Sequence, residues 1–206
     1  MKFFIKVCGI TSLKDASEVC SAGADAIGLM LYEKSPRHIS LDLAVKIYNK
    51  INLDLRVVLV FVNAKEEFVK ECFDLMPNAI AQFHGNETEA YCSSFGKDYI
   101  KAIALKDKID LDCIDNYPTA KMILLDSFDP VLLGGTGITF NWDLITADIK
   151  LPYLLAGGLT SKNIKSALDK VSCAGVDISS GVESEPGIKD NIKVNEFINK
   201  VRSLGE

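Results

Sequence analysis

Short apolar runs, many of them rich in β-branched residues, recur along the chain. They are Phe4–Cys8, Ala26–Leu31, Val57–Val62, Ala79–Phe83, Ile100–Ala104, Met122–Asp126, Pro152–Ala156 and Gly175–Ser179. Each has the length of a β-strand. Runs as continuously apolar as Val57–Val62 suit a parallel sheet whose outer face is covered. The segments between them carry helical signals. Ser12 precedes Leu13-Lys-Asp15 as an N-cap before an acidic residue, and Gly23 can end that helix. Ser40 can cap Leu41–Asn49, and Asn86 or Thr88 can start a helix to Phe95. Lys65–Leu75 places Phe68, Val69, Cys72 and Phe73 on one side and stops before Pro77. Ser161 can cap Lys162–Val171, and Ile192–Leu204 carries an apolar stripe of Ile192, Val194, Phe197, Ile198 and Val201. Lys106–Asn116 is only weakly patterned.

Strands alternating with helices argue for an α/β fold. No linker, low-complexity run or charge block divides the 206 residues, so residues 1–206 read as one domain. Eight β/α units in one domain predict a (β/α)8 barrel at the short end of its size range. The rival is a doubly wound open sheet. That fold usually has fewer strands, and no Gly-x-Gly-x-x-Gly turn follows the first run.

The first strand is unusual for plain core. Side chains two apart share a face, so Lys6 and Cys8 point one way and Ile5 and Val7 the other. Phe3, Phe4, Ile5 and Val7 are expected to fill the core. In a closed barrel strand eight lies beside strand one, which predicts that buried Lys6 pairs with Asp177, since an unpaired interior ammonium is costly.

Composition narrows the function. The hydrophobic fraction of 48% supports a large core, and a net charge of -5 offers no basic footprint for nucleic acid. No run of eighteen apolar residues suggests a membrane span, and the N-terminus lacks the pattern of a signal peptide. The six scattered cysteines, without a CxxC pair, read as reduced thiols of a cytoplasmic protein. With two histidines and no ligand spacing, no metal or cofactor is expected.

In such barrels the chemistry lies at the C-terminal ends of the strands. Cys8, the loop Ser35-Pro-Arg37-His38, Gln82-Phe-His84-Gly85, Asp126, Gly134-Gly-Thr-Gly137, Ala156-Gly-Gly158 and Ser179-Ser-Gly181 all fall there. Glycines after strands seven and eight free backbone amides to face an anion, which predicts a phosphate-bearing small molecule as substrate. The phosphate candidates are the amides of Gly157, Gly158, Ser180 and Gly181, with Gly135 and Thr136 closing nearby. A buried cysteine is by itself more often a small core hydrophobe, and a strand-end aspartate often a cap. Two activities fit these residues: a Schiff-base lyase or aldolase using Lys6 or Lys101, and a non-catalytic phosphosugar binder.

The chain also resembles a known family. Lys6-Val-Cys-Gly-Ile-Thr11, Ser35-Pro-Arg37, Val60-Phe-Val62, Gln82-Phe-His-Gly85, Leu125-Asp126, Gly134-Gly-Thr-Gly137 with Phe140-Asn-Trp142, Ala156-Gly-Gly-Leu159, and Ser179-Ser-Gly-Val-Glu183 with Pro186-Gly-Ile-Lys-Asp190 match phosphoribosylanthranilate isomerase in the family's order. Departures are mild: Gly28-Leu-Met-Leu31 lacks the usual aromatics, and Phe83 replaces a common leucine. The resemblance implies a TIM barrel and the third step of tryptophan biosynthesis. N-(5-phosphoribosyl)anthranilate would become 1-(2-carboxyphenylamino)-1-deoxyribulose 5-phosphate by an Amadori rearrangement. It implies Asp126 as general acid and Cys8 as general base, with Lys6 or a helix N-terminus expected to lower the Cys8 pKa. It gives Arg37 the substrate carboxylate. His84 would line the mouth as a bound polar residue, and the protein would be a monomer or homodimer.

Overall fold

The computed structural model describes residues 2–51, 55–105, 108–127, 142–145 and 149–205. Eight parallel strands, β1 (Phe4–Cys8), β2 (Ala26–Met30), β3 (Arg56–Phe61), β4 (Ile80–Phe83), β5 (Tyr99–Leu105), β6 (Met122–Ser127), β7 (Tyr153–Leu155) and β8 (Gly175–Ile178), pair in sequence order and close into a barrel. The closing seam sets Phe4 opposite Gly175 and Lys6 opposite Asp177. The expected TIM barrel is the fold.

Helices α1 (Leu13–Ser21), α2 (Leu41–Lys50), α3 (Glu66–Leu75), α4 (Glu89–Ser93), α5 (Ile164–Lys170) and α6 (Asn191–Leu204) cover the barrel. Ser12, Ser40 and Thr88 cap α1, α2 and α4 by accepting from backbone amides, and Asp190 does so for α6. Where a helix was weakly patterned, Lys108–Asn116 forms a 3-10 helix instead. Helix α5 begins two residues later than expected and Ser161 does not cap it. Asn163, at its N-cap position, is occupied elsewhere: its Oδ1 accepts from Thr160 N at 2.8 Å and its Nδ2 donates to the Gly158 carbonyl at 2.9 Å. The chain before α5 therefore serves the glycine loop rather than the helix.

Two apolar shells follow from the alternation of side chains along each strand. Ile5, Val7, Ile27, Leu29, Leu59, Ile123, Leu125 and Val176 point outward and pack under the helices, with Val19, Ile47, Val69, Ile164 and Phe197 facing them. Ala26, Val58, Ile100, Ala102, Leu124 and Leu154 fill the barrel interior. Phe4 packs against this inner cluster, with the Arg56 guanidinium 5.4 Å from its ring centroid. It shares the face of Lys6 and Cys8, which corrects its grouping with Ile5 and Val7. Phe83 joins Phe61, Tyr91, Phe95 and Tyr99 in an aromatic cluster on the outer shell, where it is packing. A short antiparallel hairpin, β9 (Glu183–Glu185) and β10 (Ile188–Lys189), follows β8 and was not anticipated from the pattern.

Candidate active site

The C-terminal ends of the strands open on one mouth, lined by Cys8, Met30, Ser35, Arg37, Gln82, His84, Asp126, the Ala156–Leu159 loop and residues 177–181. Eight residues singled out in the sequence are thus brought together: Cys8, Arg37, His84, Asp126, Gly157, Gly158, Ser180 and Gly181. Gly135 and Thr136 lie outside the described residues. Met30, one of the departures from the family pattern, lines the mouth; His38 is an exposed loop residue.

Below Cys8 on the inner face of β1, Lys6 is completely buried and donates from Nζ to Asp177 Oδ2 at 2.8 Å. The pair expected across the seam is present. Burial works against the Lys6 ammonium, but Asp177 and then Cys8 more than offset it and hold its pKa above the ordinary value. Gly28 on β2 makes room for both side chains. A Cβ there would lie 2.5 Å from Cys8 Sγ and 3.1 Å from Lys6 Nζ.

The Cys8 pKa departs from expectation. Burial pushes the thiol up, and the opposing pull of Lys6 is smaller. A thiolate in the barrel loses its hydration shell, while the Lys6 ammonium beside it is already shared with Asp177.

Across the mouth, Asp126 is buried at the end of β6. Its Oδ1 accepts from Ser127 N at 2.8 Å, and its Oδ2 lies 3.4 Å from His84 Nε2. Gln82 Nε2 stands 3.1 Å from His84 Nδ1. With the amide donating to Nδ1, the imidazole carries its proton on Nε2, facing Asp126. His84 is thereby a bound polar lining residue, oriented by Gln82.

Three of the buried polar atoms without a partner among the described residues belong to this wall: Gln82 Oε1, Asp177 Oδ1 and Ser179 Oγ. Folded interiors rarely leave such atoms unpaired, so their clustering marks a place built for a polar ligand. The sequence placed Ser179 at the end of strand eight and read Asp177 as the partner of Lys6, but gave neither a part in binding substrate.

The glycine loops have the geometry an anion needs. Gly157 and Gly158 have φ of 79° and 63°, in the left-handed region where a side chain is strained. A Cβ on Gly181 would fall 1.9 Å from the Leu159 carbonyl oxygen. No amide of Gly157, Gly158, Ser180 or Gly181 donates to a backbone acceptor among the described residues.

Arg37 is engaged differently from expectation. Its Nε and Nη2 donate to the two carboxylate oxygens of Glu183, at 2.8 and 2.7 Å. The two-pronged edge assigned to substrate meets a protein carboxylate, because the hairpin after β8 folds over the loop after β2.

Neither lysine of the Schiff-base alternative is a nucleophilic amine. Lys6 is held charged by Asp177. Lys101 is paired with Glu87 at 2.9 Å, donates to the Gly85 carbonyl at 2.6 Å and does not line the mouth. Among the described residues no group of three or more His, Cys, Asp or Glu is arranged to hold a metal ion.

A family model described as N-(5'-phosphoribosyl)anthranilate (PRA) isomerase matches residues 5–200. The chain belongs to the phosphoribosylanthranilate isomerase family. It is 45% identical over 201 residues to the N-(5'-phosphoribosyl)anthranilate isomerase of Geotalea uraniireducens (strain Rf4), covering 97% of this chain and 98% of that one. The crystal structure of phosphoribosylanthranilate isomerase from Thermotoga maritima superposes with a TM-score of 0.91 at 35% identity, over 98% of this chain and 99% of that one. Another phosphoribosylanthranilate isomerase superposes with a TM-score of 0.87 at 34% identity, over 98% and 99% of the two chains. It was solved in complex with reduced 1-(o-carboxyphenylamino)-1-deoxyribulose 5-phosphate. Asp126 and Cys8 both line the one mouth.

Proposed function

We propose that Cys8 and Asp126 divide between them the proton transfers of an Amadori rearrangement. The enzyme is an isomerase of tryptophan biosynthesis that converts N-(5-phosphoribosyl)anthranilate to 1-(2-carboxyphenylamino)-1-deoxyribulose 5-phosphate. Asp126 gives a proton to the ribose ring oxygen. The C1–O bond breaks as the anthranilate nitrogen lone pair forms the iminium. Cys8, as thiolate, takes the proton from C2; the C–H electrons form the C1=C2 bond and neutralise the iminium nitrogen. The enolamine tautomerises to the ketone by losing its hydroxyl proton and gaining one at C1.

The observation that carries this reading is the placement of the two groups. They are buried at the ends of β1 and β6, well apart around the ring of strands, and line the same mouth. Cys8 needs help to ionise, since burial pushes its thiol up. Lys6 supplies part of that help, and the positive iminium supplies more once the ring opens. Asp126 is flanked by His84, which orients it.

Binding rests on the two ends of the substrate. The phosphate is held by the amides of Gly157, Gly158, Ser180 and Gly181, with Ser179 Oγ as a further donor. Arg37, whose guanidinium lines the mouth, meets the anthranilate carboxylate. The setting is the cytoplasm, as a monomer or homodimer; six cysteines outside any disulfide suit a reducing compartment. Among the described residues no helix is long and apolar enough to cross a membrane.

The test is turnover of the fluorescent anthranilate substrate by the purified protein and by Cys8→Ser and Asp126→Asn. Each substitution should remove most of kcat while the folded protein still binds a product analogue. Near-normal turnover by both would remove the assignment.

A further inference from the structure

A buried ion pair stands behind the mouth and takes no part in the proton transfers. Lys101 shares the outer face of β5 with Tyr99 and Ile103, and its side chain is buried together with that of Glu87. All three donors of the ammonium are in use. They go to Glu87 Oε2 at 2.9 Å, to the Gly85 carbonyl at 2.6 Å and to the Phe83 carbonyl at 3.3 Å. Glu87 in turn accepts from Gly85 N through Oε2 at 2.9 Å and from Asn63 N through Oε1 at 2.7 Å. Its backbone carbonyl accepts from the Tyr117 hydroxyl at 2.9 Å, and the Tyr117 ring centroid lies 5.5 Å from Lys101 Nζ.

What the pair grips is backbone on both sides of His84. It holds the Phe83 carbonyl and both polar groups of Gly85, while His84 N donates to the Phe61 carbonyl at 2.8 Å. Asn63 completes the bracket. Its φ of 48° makes it, among the described residues, the one non-glycine in the left-handed region, and its Oδ1 accepts from Asn86 N at 2.8 Å. Such a conformation persists where the surroundings fix it. A Cβ on Gly85 would fall 2.6 Å from Asn63 Oδ1, so the loops after β3 and β4 are pressed together. A buried ion pair is a poor stability device, since apolar side chains of the same volume often serve as well. This one directs its hydrogen bonds to the residues flanking His84, whose Nε2 lies 3.4 Å from Asp126 Oδ2.

We propose that Lys101 and Glu87 are positioning residues for His84 and, through it, for the carboxyl group of Asp126. The pair fixes the peptides beside His84 from outside the barrel, and Gln82 fixes the ring from inside. This rests on the reading that His84 orients Asp126.

The experiment is steady-state turnover of the anthranilate substrate, with urea melts alongside. The double variant Glu87→Gln with Lys101→Met removes both charges and keeps both volumes. Its kcat should fall about tenfold to a hundredfold, the range for a catalytic group displaced from afar. Its KM should stay within about twofold of wild type, because the phosphate loops are untouched. His84→Ala should lower kcat to a similar extent. Adding the double variant to His84→Ala should then cost less than about twofold more, since no imidazole is left to position. Glu87→Asp keeps the charge but draws it back from the Gly85 and Asn63 amides. It should show the same split between kcat and KM in smaller measure, and it answers the question if the neutral double variant does not fold. Normal kcat in the pair variants beside a slow His84→Ala would overturn the positioning role and leave the His84 reading intact. Losses that multiply with that of His84→Ala would overturn it as well. Normal kcat in His84→Ala would overturn the His84 reading and this proposal together.

Discussion

Lys6 Nζ stands 2.8 Å from Asp177 Oδ2, the two residues facing one another across the seam where β1 meets β8. They are 171 positions apart in the chain, and their contact exists only because the barrel closes. The pair is buried, it stands beside Cys8, and its Asp177 Oδ1 has no partner among the described residues. It therefore bears on both stability and reactivity.

Removing one member should be expensive. Lys6→Met leaves a buried carboxylate uncompensated and is expected to cost about 3–5 kcal/mol of unfolding free energy. The double variant with Asp177→Asn should recover part of that loss. Urea melts of the four proteins check it, and strictly additive losses would contradict the pairing.

The Cys8 thiol should titrate late. Because burial raises its pKa, alkylation of the free enzyme by iodoacetamide at Cys8 should speed up with pH to a midpoint above the ordinary value of 9.0. Lys6→Met removes the cation that opposes this and should move the midpoint higher still. Mass spectrometry of the modified peptide reads the rate. A midpoint below 9.0 would mean that Lys6 outweighs burial.

The two proton movers should fail at different steps. Cys8→Ala should lose most of kcat with little change in KM, since the phosphate loops and Arg37 still bind the substrate. Asp126→Asn cannot protonate the ring oxygen, but an open-chain substrate analogue bypasses that step. Such an analogue should be turned over better by Asp126→Asn than by Cys8→Ala. Where chemistry limits turnover, kcat should fall as pH drops through the raised Cys8 pKa.

The glycine loop should not tolerate side chains. At Gly158, φ is 63°, so Gly158→Leu is strained whatever the space around it, at a cost on the order of 1 kcal/mol. The larger effect should be on binding, with KM raised strongly because the loop amides no longer face the phosphate. An unchanged KM with an intact circular dichroism spectrum would remove the phosphate from this loop.

Glu183 should make stability depend on acid. Burial alone would raise its pKa, but Arg37 and Lys189 outweigh that and hold it below the ordinary value of 4.5. A carboxyl with a lowered folded pKa stabilises above its unfolded pKa, and the stabilisation fades as pH falls through the folded value. The stability gap between wild type and Glu183→Gln should therefore be full at pH 6 to 7, where both states bind no proton, and shrink below about pH 4.5. Thermal melts across that range check it.

Much of this protein is written in short-range pattern. The eight apolar runs, Ser12, Ser40 and Thr88 as caps, and the alternation that puts Lys6 with Cys8 depend on neighbours a few residues apart, and period and capping are local physics. The glycines at 157 and 158 were legible as a loop that could face an anion, and their positive φ gives the local reason for glycine there. Closure of a barrel then follows from counting β/α units, and with it the Lys6–Asp177 register. The residues alone left an aldolase and a binding protein open; the ordered motifs from Lys6 to Asp190 carried the family. Tertiary structure decided the rest. The Glu183–Arg37 contact joins residues 146 positions apart through a hairpin too short to show a strand pattern, so nothing local announced it. The asparagine that starts α5 was drawn into the glycine loop by a contact, not a propensity. The Cys8 pKa turned on how completely the barrel excludes water, a property of all eight strands at once and of no stretch of sequence.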